Sequence, residues 1–472
     1  MWTRSFAVLS LVVVIAVQPE AGAPPALPST DEAIAHALNR LTFGPRPGDA
    51  ARVKAQGLQN WIDLQLSPSR IDEAIVTAKL ARLQTLTLDS QTIQRDYSGP
   101  AMIARRKRQL QNPNSDPTIA DIEEAKLLRA VYSERQLQEV LVDFWFNHFN
   151  VFAGKGATRN YLTEYEREAI RPYVLGNFRD MLEATAKSPA MLFYLDNWQN
   201  TDALSPGPRM TQMTQNRKRV AQTPARRSTG INENYARELM ELHTLGVDGG
   251  YTQSDIVDVA RAFTGWTIRP REGSGTQFVS RLHDDKVKTV LGHTIKAGGG
   301  PNDLEQVLDI LAAHPSTARH IATKLATRFV SDTPPSALVD RAAARFTATR
   351  GDLREVVRTI ITSPEFFAPD TYRAKVKTPL GFVASALRAT GAEVRSALPL
   401  ARELREMGMP LYFCQPPTGY ADVASAWVSA GALVSRMNFA VALGKNEIRG
   451  VRIANPTVDL ATEIGAPAFQ RQ

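Results

Sequence analysis

The sequence predicts a mainly α-helical protein, a single large helical globular domain with one small β-hairpin. Apolar residues recur at helical spacing along most of the chain, and several segments open with the Ser-Pro or Thr-Pro pair that is typical of helix starts. Only one region shows the short β-branched runs that indicate paired strands. The chain has 472 residues, 43% of them hydrophobic, and can therefore build a sizeable core.

The first half of the chain is predicted to be helical in nearly every segment. Residues 31–41 open it, because Ile34, Leu38 and Leu41 share one face and Thr30 supplies an N-cap. Similar spacing predicts helices over residues 58–66, 71–90, 119–132, 136–149, 161–173 and 178–186. The stripe over residues 136–149 is the most apolar, and His148 lies on it. Ser188-Pro189 opens one further short helix.

The second half contains the predicted hairpin. Thr252 and Asp255 form a capping box for a helix over residues 252–264, and Gly246 and Gly265 stand where left-handed helix ends belong. Residues 277–282 and 287–291 are predicted as two strands joined by a four-residue turn at residues 283–286. Further helices are predicted over residues 303–313, 316–330, 335–347, 351–363, 378–390, 398–407 and 428–443.

The N-terminus has the pattern of a secretory signal peptide over residues 1–23. A single positive charge precedes an apolar run at residues 5–17, and Ala21 and Ala23 give a small-x-small cleavage site. The run is shorter than the roughly 20 residues of a membrane span, so cleavage near Ala23 is expected, with a retained anchor as the alternative. We therefore expect a secreted or periplasmic bacterial protein whose domain covers residues 24–472, with no transmembrane helix after cleavage. The single Cys414 excludes an intramolecular disulfide.

Positive charge is concentrated in two segments. The net charge is +8, and residues 105–108 and 209–227 hold much of the excess, with no acidic residue between Asp202 and Glu233. Residues 199–231 lack periodicity and are predicted as a mobile basic loop. In a secreted protein such a loop would bind an anionic envelope polymer or a partner protein, and nucleic acid is not expected. The alternative is that these charges simply cover a solvated surface.

The densest polar segment is residues 232–246, which we call the signature segment. In a regular helix Asn234, Glu238 and Glu241 share a face, and Arg237 can pair with Glu241. If this face is buried, repulsion between the carboxylates raises the pKa of one of them, as in an acid and base pair. Asn234 and Arg237 would then orient a substrate, with His148 and His243 assisting. The alternative is a structural ion-pair network centred on Arg237.

A divalent metal site is a further hypothesis. His148, His243 and His283 could meet in the fold, with Glu238 or Asp284 completing a donor set that zinc accepts. No His-x-x-x-His pair supports this hypothesis, so the cofactor is left open. A nucleophile elbow and a phosphate-binding loop are also lacking.

The sequence resembles the domain of unknown function 1800 (DUF1800) family. The resemblance spans residues from about 34 to about 443 and is carried by long motifs at residues 41–45, 144–149, 188–196, 232–252, 260–267, 283–284, 288–292, 314–318 and 377–379. It implies a secreted or envelope-associated, largely helical bacterial protein, with no family catalytic residues to transfer. It also implies, by association, a phosphatase-like partner of the DUF1501 type.

Two functions follow as hypotheses. The first is a hydrolase of an envelope or extracellular polymer, with the signature segment as its site. The second is a non-catalytic binding or structural protein of the envelope. In that case the signature segment forms a buried polar network, a lock that holds neighbouring elements together, and the basic loop binds a polyanion or a partner protein.

Overall fold

The computed structural model describes residues 27–97, 99, 116–202, 230–269 and 275–472. The predicted signal peptide, the basic cluster at residues 105–108 and all but the ends of the predicted basic loop lie outside these residues. Within them the protein is mainly α-helical, as the sequence predicts.

The α-helices follow one another through the whole described chain. They are α1 Asp31–Leu41, α2 Asp49–Gln56, α3 Leu58–Gln65, α4 Ala74–Leu80, α5 Ser90–Tyr97, α6 Pro117–Tyr132, α7 Gln136–His148, α8 Thr158–Glu164, α9 Phe178–Ala186, α10 Pro189–Tyr194, α11 Asn234–Glu238, α12 Gln253–Ala262, α13 Asn302–Ala313, α14 Pro315–Phe329, α15 Ser336–Ala348, α16 Leu353–Ile361, α17 Pro379–Ala389, α18 Leu398–Glu406, α19 Ala430–Gly444 and α20 Val458–Gly465. Short 3-10 turns lie at Pro68–Arg70, Gln84–Thr87, Arg171–Tyr173, Asn197–Gln199, Ser280–Leu282, Pro369–Thr371 and Ala424–Ala426.

Local capping signals placed several helix starts correctly. The Thr30 side chain accepts a hydrogen bond from the Ala33 amide at α1, and Ser188 and Thr378 cap α10 and α17 in front of their prolines. The predicted capping box at Thr252 is present. These contacts are confirmed because each involves residues only two or three positions apart in the chain.

The helix predicted over residues 71–90 is wrong. It is broken between α4 and α5, where Thr85 donates through its amide and its hydroxyl to Asp121 in α6, at 3.1 and 2.9 Å. The amide of Ser90 donates to Glu164 at 2.8 Å. Side chains of distant helices thus take backbone donors that a continuous helix would have used.

The predicted strand pairing is also wrong, although both strand segments contain strands. β1 Trp266–Thr267 pairs with β2 Gln277–Phe278, and β3 Lys288–Val290 pairs with β4 His293–Ile295. A third small sheet joins β5 Glu393–Val394 to β6 Val451–Arg452. The β3–β4 turn is Leu291-Gly292, both with positive φ, which suits a tight two-residue hairpin. The predicted turn residues His283 and Asp284 are buried instead.

The signature segment is not a regular α-helix. After α11 the chain continues as a π-helix over Leu239–Thr244, and the Leu245 amide donates to the Met240 carbonyl five residues back, at 2.9 Å. A second π-helix covers Tyr165–Ile170. Single-turn π-helices of this kind are rare and frequently occur at functional sites.

The buried apolar side chains form one contiguous cluster that extends from Ala33 in α1 to Ile464 in α20. This cluster is the main hydrophobic core of the described residues. Among the described residues, no helix is both long enough and apolar enough to cross a membrane.

Candidate functional site

The outer face of the signature segment carries a partly solvent-exposed ion network. Arg237 lies 3.3 Å from the Glu233 carboxylate and 3.5 Å from that of Glu241, and it donates to Gln253 at 2.9 Å. The Arg237 side chain keeps 39% of its exposure. This network has the partners that the structural alternative predicted, but it is not buried.

Glu238 and Glu241 behave differently from each other. Glu238 is half-buried and is not paired with Arg237. Its pKa is raised by desolvation and then by repulsion from Glu241, with Arg237 opposing. Asn234 is exposed and donates to the Leu195 carbonyl at 3.2 Å. The residues lining the two larger cavities do not include these three side chains.

Two histidines cap the inner, C-terminal end of the signature segment. The His148 Nε2 in α7 lies 3.1 Å from the His243 carbonyl, and the His320 Nε2 in α14 lies 3.2 Å from the Leu242 carbonyl. Carbonyls in the last turn of a helix have no partner within the helix, so the two imidazoles satisfy them. Because a carbonyl only accepts, each Nε2 carries the hydrogen, and Nδ1 is left as an acceptor.

The three imidazoles His148, His243 and His320 lie side by side. The ring centroid of His148 is 6.1 Å from that of His243 and 6.2 Å from that of His320. Burial, aided by the nearby Lys324, lowers the pKa of His243 to about 3 and that of His320 to about 4, and takes that of His148 well below its usual value. All three are therefore neutral at physiological pH. The Nδ1 of His148 and the Nε2 of His243 are buried without a hydrogen-bond partner in the described structure.

A cavity of about 200 Å³ lies beside this histidine cluster. His148 lines it from α7, Lys324 and Arg328 from α14, and Tyr420 and Asp422 from the loop before α19. The hydroxyl and amide groups of Asn147, Thr327, Thr378 and Thr418 complete a mixed polar and charged surface. We call this space the Lys324 cavity.

Lys324 is the least satisfied charged group of the cavity. Burial lowers its pKa from 10.5 to about 8, and the neighbouring Asp422 only partly opposes this effect. No hydrogen bond from the described residues stabilises its ammonium. At neutral pH a measurable fraction of Lys324 is therefore a free amine, which can accept a proton.

Of the predicted metal ligands, His148 and His243 lie side by side, but His283 and Asp284 have other partners. His283 lies 2.8 Å from the Thr264 carbonyl and 3.2 Å from Asp303, which also pairs with Lys288 at 2.6 Å. Both oxygens of Asp284 are taken by Arg261. Over the described ranges, no group of three or more His, Cys, Asp or Glu side chains is arranged to hold a metal ion.

Four residues of this region were not among the predicted site residues: His320, Lys324, Arg328 and Asp422. The signal for three of them was present, because His320, Lys324 and Arg328 follow one another at four-residue spacing within the predicted helix over residues 316–330. That spacing places basic groups along one helix face. Asp422 lies in a loop far along the chain, and its approach depends on the fold.

Comparison with known proteins gives one match. The model of a family described as "Protein of unknown function (DUF1800)" matches residues 36–471, which is nearly the whole chain. Comparisons with curated proteins and with solved structures gave no match. The signature segment, α7 and α14 all fall within the matched range, and the chain belongs to the DUF1800 family.

Proposed function

We propose that this protein is a secreted hydrolase of an envelope or extracellular polymer and that Lys324 is its general base. The observation that supports this proposal is a desolvated lysine in a polar cavity, with a pKa of about 8 and no hydrogen-bonded partner from the described chain. A general base works best when its pKa lies near the operating pH. The proposal therefore moves the chemistry from Glu238 and Glu241 to the Lys324 cavity.

The cavity offers the groups that such a reaction needs. The Lys324 amine would take a proton from a water molecule as the water oxygen attacks the carbon of the scissile bond, and the leaving oxygen would take a proton from solvent as its bond to that carbon breaks. The unpaired Nδ1 of His148 supplies a buried acceptor near the same cavity. Arg328 can position the substrate by hydrogen bonds, while Asn147 holds the wall of the cavity, because its side-chain amide donates to the Tyr420 carbonyl at 2.8 Å and accepts from the Tyr420 amide at 2.7 Å.

The second candidate is a non-catalytic envelope protein. His148 and His320 are used as helix caps, and Arg237 and Glu233 of the outer network both form hydrogen bonds with Gln253 in α12. These contacts favour a structural role for the signature segment itself. They do not involve Lys324, so the two candidates differ in what a lysine variant does.

The deciding experiment compares Lys324→Met and Lys324→Arg with the wild type in release of reducing ends from a panel of bacterial envelope polysaccharides between pH 6 and 9. The wild-type rate should rise through about pH 8 as the Lys324 amine loses its proton. Both variants should lose activity by on the order of 100-fold or more, because arginine keeps the charge but cannot act as a base.

Lys54→Met is the matched control, since Lys54 is exposed and paired with Asp31, and it should keep the wild-type rate. Wild-type rates in both Lys324 variants would overturn the proposed role of Lys324. A complete absence of cleavage across the panel, together with retention of the polymers in a binding assay, would favour the non-catalytic candidate.

Secretion is part of the proposal and rests on the sequence pattern of residues 1–23. Expression in a bacterium with a general secretory pathway should yield a protein that begins just after Ala23, as read by intact mass. A full-length mass in the membrane fraction would instead support the retained anchor. The anionic polymer and the phosphatase-like partner of the DUF1501 type stay predictions.

A further inference from the structure

Positive charge around the Lys324 cavity exceeds negative charge. Lys375 is buried and lies 2.6 Å from Asp332 and 3.5 Å from Asp422, while Arg328 lies 3.7 Å from Asp422. Arg40 interacts electrostatically with Arg328 and with both carboxylates, and Lys324 interacts with Asp422. The cluster within the described structure thus holds four cations against two carboxylates: Arg40, Lys324, Arg328 and Lys375 with Asp332 and Asp422.

The other carboxylate of the cavity does not supply the missing charge. Asp143 lines the cavity but is paired with Lys126 at 2.8 Å. The three histidines nearby are neutral and add no charge of either sign. Among the groups that these contacts join, positive charge therefore exceeds negative charge.

Two of the four cations also have unused hydrogen-bond donors. Arg40 donates through one terminal nitrogen to the Val330 and Thr371 carbonyls, while its Nε and Nη1 are buried without a partner in the described structure. Arg328 has a long contact of 3.7 Å with Asp422 and lines the cavity. Arg40 is not among the residues that line the cavity, so it adds positive charge from behind the wall, while Arg328 can offer its donors to a bound anion, which would reduce the cost of burying them.

The cavity is small and its polar lining suits one unit of a sugar. Its volume of about 200 Å³ is below the roughly 300–1,000 Å³ of sites for drug-sized ligands. Threonine hydroxyls, the Asn147 amide and the ring of Tyr420 surround the two cations that face it. A charged group would reach Arg328, and sugar hydroxyls would meet the remaining polar groups.

We propose that the Lys324 cavity binds the oxyanion of a single acidic sugar unit, with Arg328 as the group that holds it. The oxyanion is a carboxylate, sulfate or phosphate, which share the same recognition by guanidinium and ammonium groups. That this unit belongs to the substrate rests on the proposed hydrolase function. Binding itself does not, because it is measured without turnover.

The test is calorimetric titration of the mature protein with glucuronate, glucose 6-sulfate and glucose 6-phosphate, with glucose as the uncharged match, at pH 7 and constant ionic strength. At least one charged sugar should bind at least tenfold more tightly than glucose, and the sugar that binds best identifies the oxyanion. Equal affinity for glucose and for all three charged sugars, or no binding of any of them, would overturn the proposal.

Variants separate specific recognition from a loss of folding. Arg328→Gln should weaken binding of the charged sugar at least tenfold, whereas Arg319→Gln on the same helix should not, because Arg319 is exposed and paired with Asp340. Asp422→Asn removes a competing carboxylate and should strengthen binding. Equal effects of Arg328→Gln and Arg319→Gln, or weaker binding in Asp422→Asn with an intact thermal transition, would count against the assigned contacts.

The outcomes also distinguish this inference from the proposed function. Charged sugars that bind to a protein that cleaves no polymer would leave the oxyanion site standing and overturn the hydrolase. Polymer cleavage that depends on Lys324, without any preference for charged sugars in binding, would support the hydrolase and overturn the oxyanion site.

Discussion

The outer and inner faces of the signature segment both make polar contacts, but with different groups and in different surroundings. On the outer face Arg237 lies between Glu233 and Glu241 in partly exposed ion pairs. On the inner face the carbonyls of Leu242 and His243 meet His148 and His320 in the interior, next to the Lys324 cavity. Exposed ion pairs contribute roughly 0–1 kcal/mol, whereas an unmade buried hydrogen bond costs about 1–3 kcal/mol. The density of polar residues in a sequence therefore does not show which of them carry stability or chemistry.

The largest expected effect concerns the close approach of His320 to the end of the signature segment. Gly246 has φ +83°, and an added Cβ would lie 3.0 Å from the His320 Nδ1. Gly246→Ala should lower the free energy of unfolding by about 2–4 kcal/mol, from the left-handed backbone and from crowding. Gly250→Ala is the control, since Gly250 has φ +87° with no atom near its Cβ position; it should cost about 1–2 kcal/mol. Equal losses in urea unfolding would show that the inner face tolerates the added methyl group.

Lys324→Met should raise stability, because the wild-type ammonium is desolvated. We expect a gain of about 1–3 kcal/mol at pH 7 in denaturant unfolding. Between about pH 8 and 10.5 the unfolded wild-type chain binds more protons at Lys324 than the folded chain does. The free energy of unfolding of the wild type should therefore rise with pH in this range, and the stability advantage of Lys324→Met should shrink. A loss of stability in Lys324→Met would indicate that the lysine is a structural partner.

His148→Leu tests the cap on the inner face. It leaves the His243 carbonyl without its donor and should cost about 1–3 kcal/mol. His293→Leu, at an exposed position of β4, should change the free energy of unfolding by less than about 0.5 kcal/mol. If both variants unfold at the same temperature as the wild type, the capping contact contributes nothing measurable.

The smallest effects are expected on the outer face, with opposite signs for two neighbours. Arg237→Ala should cost less than about 1 kcal/mol. Glu238→Gln should be neutral or slightly stabilising at pH 7, because the folded state holds the Glu238 proton to a higher pH than the unfolded state does. Stability due to Glu238 is thus highest below its unfolded pKa of about 4.3 and falls as pH rises toward the folded pKa. A clear drop in melting temperature for Glu238→Gln at pH 7 would instead support the structural alternative, in which the folded protein needs the charged Glu238 carboxylate.

What the sequence could predict was set mainly by short-range contacts. Helix α1 and the capping box at Thr252 depend on residues a few positions apart, and both were predicted correctly. The pairing of β3 with β4 was not, because the buried contacts of His283 with Thr264 and Asp303 hold the predicted turn in the interior. No pattern among neighbouring residues in the sequence predicts such contacts.

The same limit applies to the site. His148 was singled out correctly as lying on an apolar face, and it lines the cavity. The π-helix gave no sequence signal, so the face predicted for Glu238 and Glu241 rested on ideal α-helical spacing. Lys324 could have been noticed from the spacing of His320, Lys324 and Arg328, but its desolvation and the approach of Asp422 depend on where the loop before α19 passes.

The π-helix at Leu239–Thr244 lets the number of residues in the signature segment differ from the number that an α-helix of the same number of turns would need. The chain there holds an extra residue relative to an α-helix of the same rise, so it can lose one residue and still span the distance. Such a shortened chain would return to α-helical hydrogen bonding with the residues on either side kept in register, because the wide turn had already absorbed the extra residue. Deleting one residue from a regular helix such as α7 would instead rotate the residues beyond it by about 100°, so the wide turn is where the signature segment can change length without turning its flanking residues away from the Lys324 cavity.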